Sequence, residues 1–255
     1  MLNIGVLCHP RGLLGYQDRA LEQLKKKAGV RLSFCFHLVL PVAATGRPGP
    51  LQPVRDFVVD RFLGKTDFER RTSLPNLPKL PFKARREGRY SILLEPESAA
   101  LLESLQLDAL INFNNHILRG DILTIPRFGV WSYHHGDPQE FRGYPPGFWE
   151  IYHGAPTTGA VLQKLGPRLD GGVVLKKATF PTVHESYFRQ RERLFAMSVP
   201  WLAEVADEVL SGRTSLLVKP ELSQVGPIYT RPTNLELLKF MATLLKNKLK
   251  KLISR

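Results

Sequence analysis

The chain has 255 residues, of which 43% are hydrophobic and 23% charged, and its formal net charge is +13. These fractions are typical of a soluble globular protein that is long enough for a full hydrophobic core. No apolar run is long enough to span a bilayer, and the first residues lack the basic segment of a signal peptide. The two cysteines, Cys8 and Cys35, both lie in apolar runs, which argues against a disulfide framework and predicts a cytoplasmic location. The positive charge favours polyanionic partners, such as phosphorylated substrates, nucleic acid or anionic lipid, without choosing among them.

The beginning of the chain has the pattern of a strand, a helix and a second strand. Residues 3–8 and 30–40 are apolar runs, and residues 17–27 between them have helical spacing. This βαβ pattern predicts an α/β fold with a doubly wound, mostly parallel sheet. In the loop after the first strand, Arg11 and the amide of Gly12 are suited to binding a phosphate of the substrate. The alternative is a surface turn with a solvated Arg11, because the loop has no glycine-rich fingerprint.

A basic, proline-rich insertion occupies residues 41–89. It lacks periodicity, apart from a short helix expected at residues 56–62. An insertion of this length is either a solvated basic linker or a lid that grips the substrate. Both alternatives remain open at this point.

Regular structure is expected again from residue 90. We predict strands at residues 90–94 and 108–113, a helix at 99–105 capped by Ser98, and a short helix at 118–123.

The central stretch delivers two polar side chains to the ends of strands. A buried strand at residues 129–133 leads into His134, and a second strand is expected at residues 157–165. Asp170 then begins a tight turn into a third strand, which starts at residue 173. Loops at strand ends are where a rigid scaffold commonly holds catalytic groups.

The last part of the chain is predicted to be helical and strongly basic. A long helix is expected at residues 187–211, and we divide the chain into an α/β domain at 1–215 and an extension at 216–255. Thr233 and Glu236 have capping-box spacing. The helix that follows them has leucines on one face and lysines on another, which is typical of helices that lie on an anionic membrane surface. Docking on its own domain or on a partner in a homodimer is the alternative.

One set of residues in the central stretch matches a family pattern in register. These residues are Gly129, His134, Phe141, Arg142, Gly143, Pro146, Gly154, Thr158, Gly159, Asp170 and Gly172. In this pattern the chain resembles the formyltransferases that use N10-formyltetrahydrofolate, which include glycinamide ribonucleotide transformylase, methionyl-tRNA formyltransferase and the amino-sugar N-formyltransferases. The chain departs from the pattern at Ser132, where the family has asparagine, at Gly136, where it has serine, and at residues 137–139.

The resemblance implies a Rossmann-like fold and a set of site residues. It implies catalytic roles for His134, Asp170 and Ser132. The formyl donor would be bound by Ile111, Asn114, Asn115, His116, Ile117, Leu118, Leu165 and Leu169. The substrate would be bound by His135, Arg142 and Gly143, together with Arg11 and Gly12 of the loop after the first strand.

The expected chemistry is transfer of a formyl group to an amine through a tetrahedral intermediate. The imidazole of His134 suits proton transfer or stabilisation of the oxyanion, and Asp170 can orient it. Ser132 offers only a short hydroxyl where the family has an amide, so an oxyanion donor is missing or is supplied by His135, Asn114 or His116. No metal site is expected, because His134 and His135 are adjacent on a strand and point to opposite faces.

The sequence therefore predicts an N-formyltransferase that takes N10-formyltetrahydrofolate as donor. Its acceptor would be a small, phosphorylated amine, namely an amino sugar on a nucleotide or lipid carrier, and nucleic acid is not expected as a partner. Two alternatives remain open: a formyltetrahydrofolate hydrolase, or other acyl chemistry on the same scaffold, and a family member that binds folate or a glycan without catalysis. The basic tail would suit a protein at the inner face of the membrane.

Overall fold

A computed structural model describes residues 1–41, 64–88 and 90–253 of the chain. The short helix predicted at residues 56–62 lies outside these described residues. So does most of the basic insertion before residue 64.

The described residues form strands and helices that alternate through most of the chain. The strands are β1 (Leu2–Cys8), β2 (Val30–Val39), β3 (Lys79–Glu87), β4 (Ser91–Leu94), β5 (Ala109–Asn112), β6 (Ile117–Arg119), β7 (Val130–His134), β8 (Arg142–Gly143), β9 (Thr157–Lys164), β10 (Val173–Pro181) and β11 (Ile228–Tyr229). The helices are α1 (Gly15–Lys25), α2 (Pro96–Ser104), α3 (Phe148–His153), α4 (Tyr187–Ser198), α5 (Trp201–Leu210) and α6 (Asn234–Ile253).

A nine-stranded sheet runs through the molecule in the order β10-β9-β7-β5-β1-β2-β3-β4-β6. The pairs from β7 through β5, β1 and β2 to β3 are all parallel, whereas β9 and β10 are antiparallel additions at one side. The predicted Rossmann-like, mostly parallel architecture is thus confirmed. Because β1 lies between β2 and β5, the strand order reverses there, and the carboxyl ends of β1, β5 and β7 meet at one edge. Ligands of open α/β sheets bind at such an edge.

The central strands are buried on both faces, which explains their apolar sequences. One hydrophobic cluster, including Ile4, Val6 and Ile111, packs on one face of the sheet, and a second, including Leu7 and Leu110, packs on the other. Alternate residues of one strand thus enter different clusters, as the two-residue period of a strand requires.

Two predictions about residues 98–123 were wrong. Glu95, and not Ser98, is the N-cap of α2; the hydroxyl of Ser98 instead accepts a hydrogen bond of 2.8 Å from the amide of Lys83. The predicted helix at 118–123 is the strand β6 followed by a 3₁₀ turn at Gly120–Leu123. Gly120 has a φ of +72°, which ends the strand at a conformation that favours glycine.

The single helix predicted at residues 187–211 is two helices, α4 and α5. Pro200 is the N-cap of α5 and lacks the N–H that would continue the helical ladder. The apolar spacing continues on both sides of this proline, which is why the pattern alone indicated one helix.

The end of the basic insertion is part of the sheet. Strand β3 pairs with β2 in parallel and with β4 in antiparallel orientation. Its sequence carries five charged residues and buries only Phe82 and Ala84, so its apolar pattern was too weak to predict a strand.

The division of the chain into a domain at residues 1–215 and an extension at residues 216–255 stays a prediction.

Helix α6 begins where the capping box predicted. The hydroxyl of Thr233 bonds to the carboxylate of Glu236 at 2.8 Å, and the Glu236 amide donates back to that hydroxyl at 3.3 Å. No helix among the described residues is long and apolar enough to cross a lipid bilayer.

The buried face of α6 holds this helix against the rest of the protein. Phe240 is fully buried and stacks on Phe148, with ring centroids 4.0 Å apart. We expect Phe240→Ala to lower the free energy of unfolding by roughly 3–5 kcal/mol, because the cavity left behind cannot be refilled by rigid neighbours. Urea denaturation measures this change. Leu238→Ala, on the exposed side of the same helix, should cost much less; equal costs would contradict the packing described here.

Candidate active site

Strand β7 carries two of the predicted catalytic residues on one face. Ser132 and His134 are two residues apart on the strand, so their side chains point to the same side. Ser132 pairs with Asn112 of β5 on one side and with Gln163 of β9 on the other. Side chains in register on adjacent strands share a face. Asn112, Ser132 and Gln163 therefore form a polar row across three strands.

His134 lies between a carboxylate and a backbone carbonyl. Its Nδ1 is 3.5 Å from Oδ1 of Asp170, and its Nε2 is 3.0 Å from the carbonyl oxygen of Phe141. A carbonyl oxygen only accepts, so Nε2 donates in that contact. A proton on Nδ1 would then lie toward Asp170. Both side chains are mostly buried, with exposed fractions of 9% and 14%, so they interact with little screening by water.

Asp170 reaches His134 from the turn between β9 and β10. Its φ is +52°, in the left-handed region that few residues other than glycine adopt. Aspartate tolerates this region better than most residues. The turn thereby keeps a carboxylate beside the imidazole at a conformational cost, as is typical of functional sites.

A cavity of about 160 Å³ opens beside the polar row. Ser132 and Asp170 line it, whereas His134 adjoins it through Asp170. Most residues predicted to bind the donor line it too, the exception being Ile111, which is fully buried in β5. The lining residues from that set are Asn114, Asn115, His116, Ile117, Leu118, Leu165 and Leu169.

The wall formed by residues 112–116 is held by its own asparagines. The side-chain oxygen of Asn112 accepts from the amide of Asn114, and that of Asn114 accepts from the amide of His116, both at 3.0 Å. Asn114 also donates its side-chain amide to the carbonyl of Cys8 at 3.3 Å. These Asx turns use the asparagines to shape the loop, which ties it to the end of β1.

Gln163 lines the cavity and is a residue that the sequence analysis did not single out. It is 1% exposed, and its Oε1 has no hydrogen-bond partner among the described residues. A buried polar atom without a partner is costly unless a ligand or water satisfies it. Glutamine is unusual in a strand as apolar as β9, which is the signal that the sequence offered.

Arg11 and Gly12 lie in the loop after β1, outside the cavity lining. The Gly12 amide donates to the carbonyl of His9 at 3.0 Å, and the Gly12 carbonyl accepts from Arg71 at 2.6 Å. The side chain of Arg11 is exposed. Burial, followed by the charges of Arg71 and Arg11, lowers the pKa of His9. Arg11 and Arg71 make the loop positively charged. The Gly12 amide already donates to His9, so it is not free to bind a phosphate in this arrangement.

His135 points away from this cavity, on the opposite face of the sheet. Its ring lies against Tyr16 and Phe195, with centroids 4.8 and 4.6 Å away, and its Nε2 is 3.0 Å from the hydroxyl of Ser198. Burial, with a smaller effect of His134, lowers the pKa of His135 to about 3. The structure thus does not bring this predicted substrate residue together with the others.

Arg142 and Gly143 brace the site rather than line the cavity. Arg142 donates to the carbonyl of Leu169 at 3.0 Å and to that of Gly226 at 2.6 Å, which ties the turn containing Asp170 to the C-terminal extension. At Gly143 φ is +101°, and a Cβ would lie 1.9 Å from the carbonyl oxygen of Tyr229. Any larger residue there would separate β8 from β11.

Glu150, in α3, is a buried acid that the pattern did not single out. It is 2% exposed, and burial, followed by repulsion from Glu140 and Asp137, raises its pKa to about 7 from 4.5. The unfolded state releases this proton at a lower pH than the folded state does. The free energy of unfolding is therefore highest below about pH 4.5 and falls by roughly 3 kcal/mol as the pH rises to about 7. We expect Glu150→Gln to remove this pH dependence. Thermal unfolding of both proteins across this range measures it, and parallel pH profiles would contradict the assignment.

Two further observations delimit the site. Within the described residues, no group of three or more histidine, cysteine, aspartate or glutamate side chains is arranged to hold a metal ion.

A larger groove of about 970 Å³ lies beside α2 and β6. That groove contains neither the polar row nor the pair of His134 and Asp170, so the smaller cavity is the better candidate.

Solved structures share this fold over most of the chain. The glycinamide ribonucleotide transformylase 1 of Symbiobacterium toebii aligns with a TM-score of 0.56 and 18% identity, over 90% of this chain and 95% of that one. A formyltetrahydrofolate deformylase from Pseudomonas syringae aligns with a TM-score of 0.56 and 13% identity, over 89% and 66%. An N-formyltransferase from Helicobacter canadensis, in complex with folinic acid and dTDP-3-aminofucose, aligns with a TM-score of 0.51 and 10% identity, over 96% and 81%.

Formyltransferases also resemble the chain in sequence, although no protein-family model matches it. The chain is 32% identical to the methionyl-tRNA formyltransferase of Trichodesmium erythraeum over 87 residues, which are 34% of this chain and 26% of that protein. It is 26% identical to the methionyl-tRNA formyltransferase of Thermotoga maritima over 144 residues, 53% of this chain and 46% of that protein. The chain therefore resembles methionyl-tRNA formyltransferases in part of its sequence and shares the fold of solved formyltransferases. It spans less than half the length of these two relatives.

The resemblance to formyltransferases draws attention to the polar row. The family pattern has an asparagine where this chain has Ser132. The hydroxyl of Ser132 is 3.4 Å from the carbonyl oxygen of Asn112, so it is directed along the row. Amide side chains therefore stand on both sides of the position from which the family's amide is missing.

Proposed function

We propose that the chain transfers a formyl group from N10-formyltetrahydrofolate to the primary amine of a small molecule. The observation that carries this proposal is the pair of His134 and Asp170 beside a cavity with a row of polar side chains. The pair supplies an acid–base group, and the row supplies hydrogen-bonding groups at fixed positions.

The cavity fits one ring system of the donor. At about 160 Å³ it is smaller than the ~300 Å³ or more of pockets that bury a whole drug-sized molecule. The bicyclic head of a folate carries both N–H donors and ring acceptors. The unpaired Oε1 of Gln163 offers it an acceptor, and the wall at residues 112–118 offers apolar side chains and backbone groups. The remainder of the donor would extend out of the cavity.

Each residue of the site has a defined role in this reaction. The attacking amine loses a proton and the leaving nitrogen gains one. His134 takes and returns this proton at Nδ1, because its Nε2 already donates to the carbonyl of Phe141. Asp170 orients the imidazole and stabilises its protonated form. Ser132, together with an amide from Asn112 or Gln163, donates to the oxyanion of the tetrahedral intermediate. Arg142 acts through Asp170, because it holds the turn that carries this carboxylate.

The acceptor that we propose is an amino sugar on a nucleotide or lipid carrier, which would bring a phosphate. In support, the pKa of His9 is lowered by burial and, in addition, by the nearby charges of Arg71, Arg11 and His116. The net charge of +13 also favours a phosphorylated substrate. A cytoplasmic location and a homodimer remain predictions.

The test is loss of the formyl group from N10-formyltetrahydrofolate, followed by absorbance with purified full-length protein and a panel of amino-sugar nucleotides. We expect turnover that requires the amine. Turnover at the same rate without any amine would replace the transferase with a hydrolase. Saturable folate binding without turnover would identify a non-catalytic binder, and absence of binding would reject the folate proposal.

Gln163 offers a separate prediction about donor binding. We expect Gln163→Leu to weaken the binding of the donor by roughly 1–3 kcal/mol, or about 5- to 150-fold, because a buried acceptor is lost. Without ligand, the variant should melt at the same or a higher temperature, since an unpaired buried oxygen is removed. Isothermal titration and thermal melts measure both quantities. Gln139→Leu, at an exposed position, is the control. Unchanged donor affinity in Gln163→Leu would exclude this role.

A further inference from the structure

Helix α6 has two apolar faces, only one of which is packed against the protein. Leu237 and Phe240 are buried in a cluster with Phe148, Trp149 and Tyr187. A second set of apolar side chains on the same helix is exposed. They are Leu235 (61%), Leu238 (64%), Leu245 (60%), Leu249 (51%), Leu252 (62%) and Ile253 (86%).

The exposed side chains form one continuous stripe. Leu238, Leu245, Leu249 and Leu252 follow one another at helical spacings that return to the same side of the helix. At 1.5 Å per residue, this stripe is about 21 Å long. None of the hydrophobic clusters formed by the described residues includes these four leucines. Surface leucines are common singly, but a row of this length is typical of an interaction site.

Lysines border the stripe along its length. Lys239, Lys246 and Lys250 follow one flank at the same spacing, and Lys248 lies on the other flank; all four are exposed. The only acidic residue of the helix is Glu236, which is engaged by the hydroxyl and amide of Thr233. Lys251, near the end of the helix, pairs with Glu185, but none of the described ion pairs includes the four lysines beside the stripe. The surface therefore combines a leucine stripe with positive charge.

The leucines and lysines together favour a lipid surface over a second copy of the chain as the partner of this stripe. Two copies of the chain joined through their stripes would bring the lysines of both helices together without facing carboxylates, which costs free energy. An anionic lipid surface is complementary to both the leucines and the lysines. The leucines enter the boundary of the acyl chains, while the lysine side chains extend to the phosphate groups. The net charge of +13 attracts the whole chain to the same surface.

We propose that the outer face of α6 binds the surface of membranes that contain anionic lipid. The helix lies in the plane of the surface and does not cross it. The protein is thereby held reversibly at the lipid surface, with its attachment strength set by the fraction of anionic lipid and by ionic strength.

The test is co-sedimentation of the full-length protein with vesicles of phosphatidylcholine alone or mixed with phosphatidylglycerol. We expect binding to the mixed vesicles only, and release at high salt. Replacing Leu238, Leu245 and Leu249 with glutamine should weaken binding by roughly 10-fold or more, because their apolar area no longer leaves water. These side chains are exposed, so thermal melts of the variant should match the original protein.

A charge-matched pair of variants tests the role of the lysines. One replaces Lys239, Lys246 and Lys250 with glutamine. The other replaces Lys25, Lys26 and Lys219, which are also exposed but lie outside α6. Both lose the same net charge, and we expect only the first to lose most of its binding. Equal losses, or no binding by the original protein, would overturn the proposal. A glutamine variant of the leucines that changes oligomeric state in light scattering, while vesicle binding is absent, would assign the stripe to a second copy of the chain instead.

Discussion

Replacing His134 with alanine is expected to lower formyl transfer by on the order of 10²–10⁴-fold, because general acid–base catalysis contributes about this much. The residue adjoins the cavity through Asp170 and is the only histidine that contacts this carboxylate among the described ion pairs. Donor affinity should change little, since His134 is not among the residues that line the cavity. Steady-state kinetics with the best acceptor, alongside titration with the donor, measures both effects.

His135 provides the matched control on the same strand. Its side chain lies on the opposite face, where it packs against Tyr16 and Phe195. We expect His135→Ala to lower the melting temperature while the folded protein keeps most of its activity. If the two variants lost activity equally, or if His135→Ala alone did, the assignment of His134 as the acid–base group would be wrong.

Replacing Ser132 with asparagine is expected to raise turnover, by as much as ~10²–10³-fold, which is the contribution of one oxyanion donor. A serine hydroxyl extends less far from the backbone than an amide does, and here it is directed toward the carbonyl of Asn112. An asparagine would restore the family's residue at the middle of the polar row. The rate of amine-dependent formyl transfer measures this effect.

The alanine variant of Ser132 completes this comparison. If Asn112 or Gln163 already supplies the missing donor, Ser132→Ala and Ser132→Asn should both leave the rate close to that of the original protein. If the hydroxyl itself donates, Ser132→Ala should be slower and Ser132→Asn faster. A protein that stays inactive with asparagine, but binds the donor, would be a non-catalytic member of the family.

The sheet was largely predictable because its strands are buried on both faces. Runs such as those of β1 and β5 contain few polar residues, and their order along the chain implies parallel pairing. The same reasoning failed for β3, whose charged sequence reflects a position away from the centre of the sheet. It also failed at Pro200, because helical periodicity continues through a break that only the backbone geometry reveals.

Part of the arrangement of the candidate residues was predictable from the motif and the strand ends, whereas their roles stay predictions. His134 and Asp170 come together as expected, and seven of the eight residues predicted to bind the donor line one cavity. Gln163 escaped notice because its importance depends on register: nothing in the sequence states that it lies opposite Ser132. The side chain of His135 lies on the face opposite to that of His134, as the alternation along a strand predicts, so its proximity to His134 in sequence does not place it in the cavity.

The most direct measurement is the transfer of an isotopically labelled formyl group. The full-length protein would be incubated with N10-formyltetrahydrofolate labelled at the formyl carbon and with a panel of amino-sugar nucleotides, and the products would be identified by mass spectrometry. The proposed function predicts a labelled N-formyl product that is lost in His134→Ala and retained in the folded His135→Ala protein. Label that appears only as free formate, or that remains entirely on the folate, would contradict a formyltransferase with this active site.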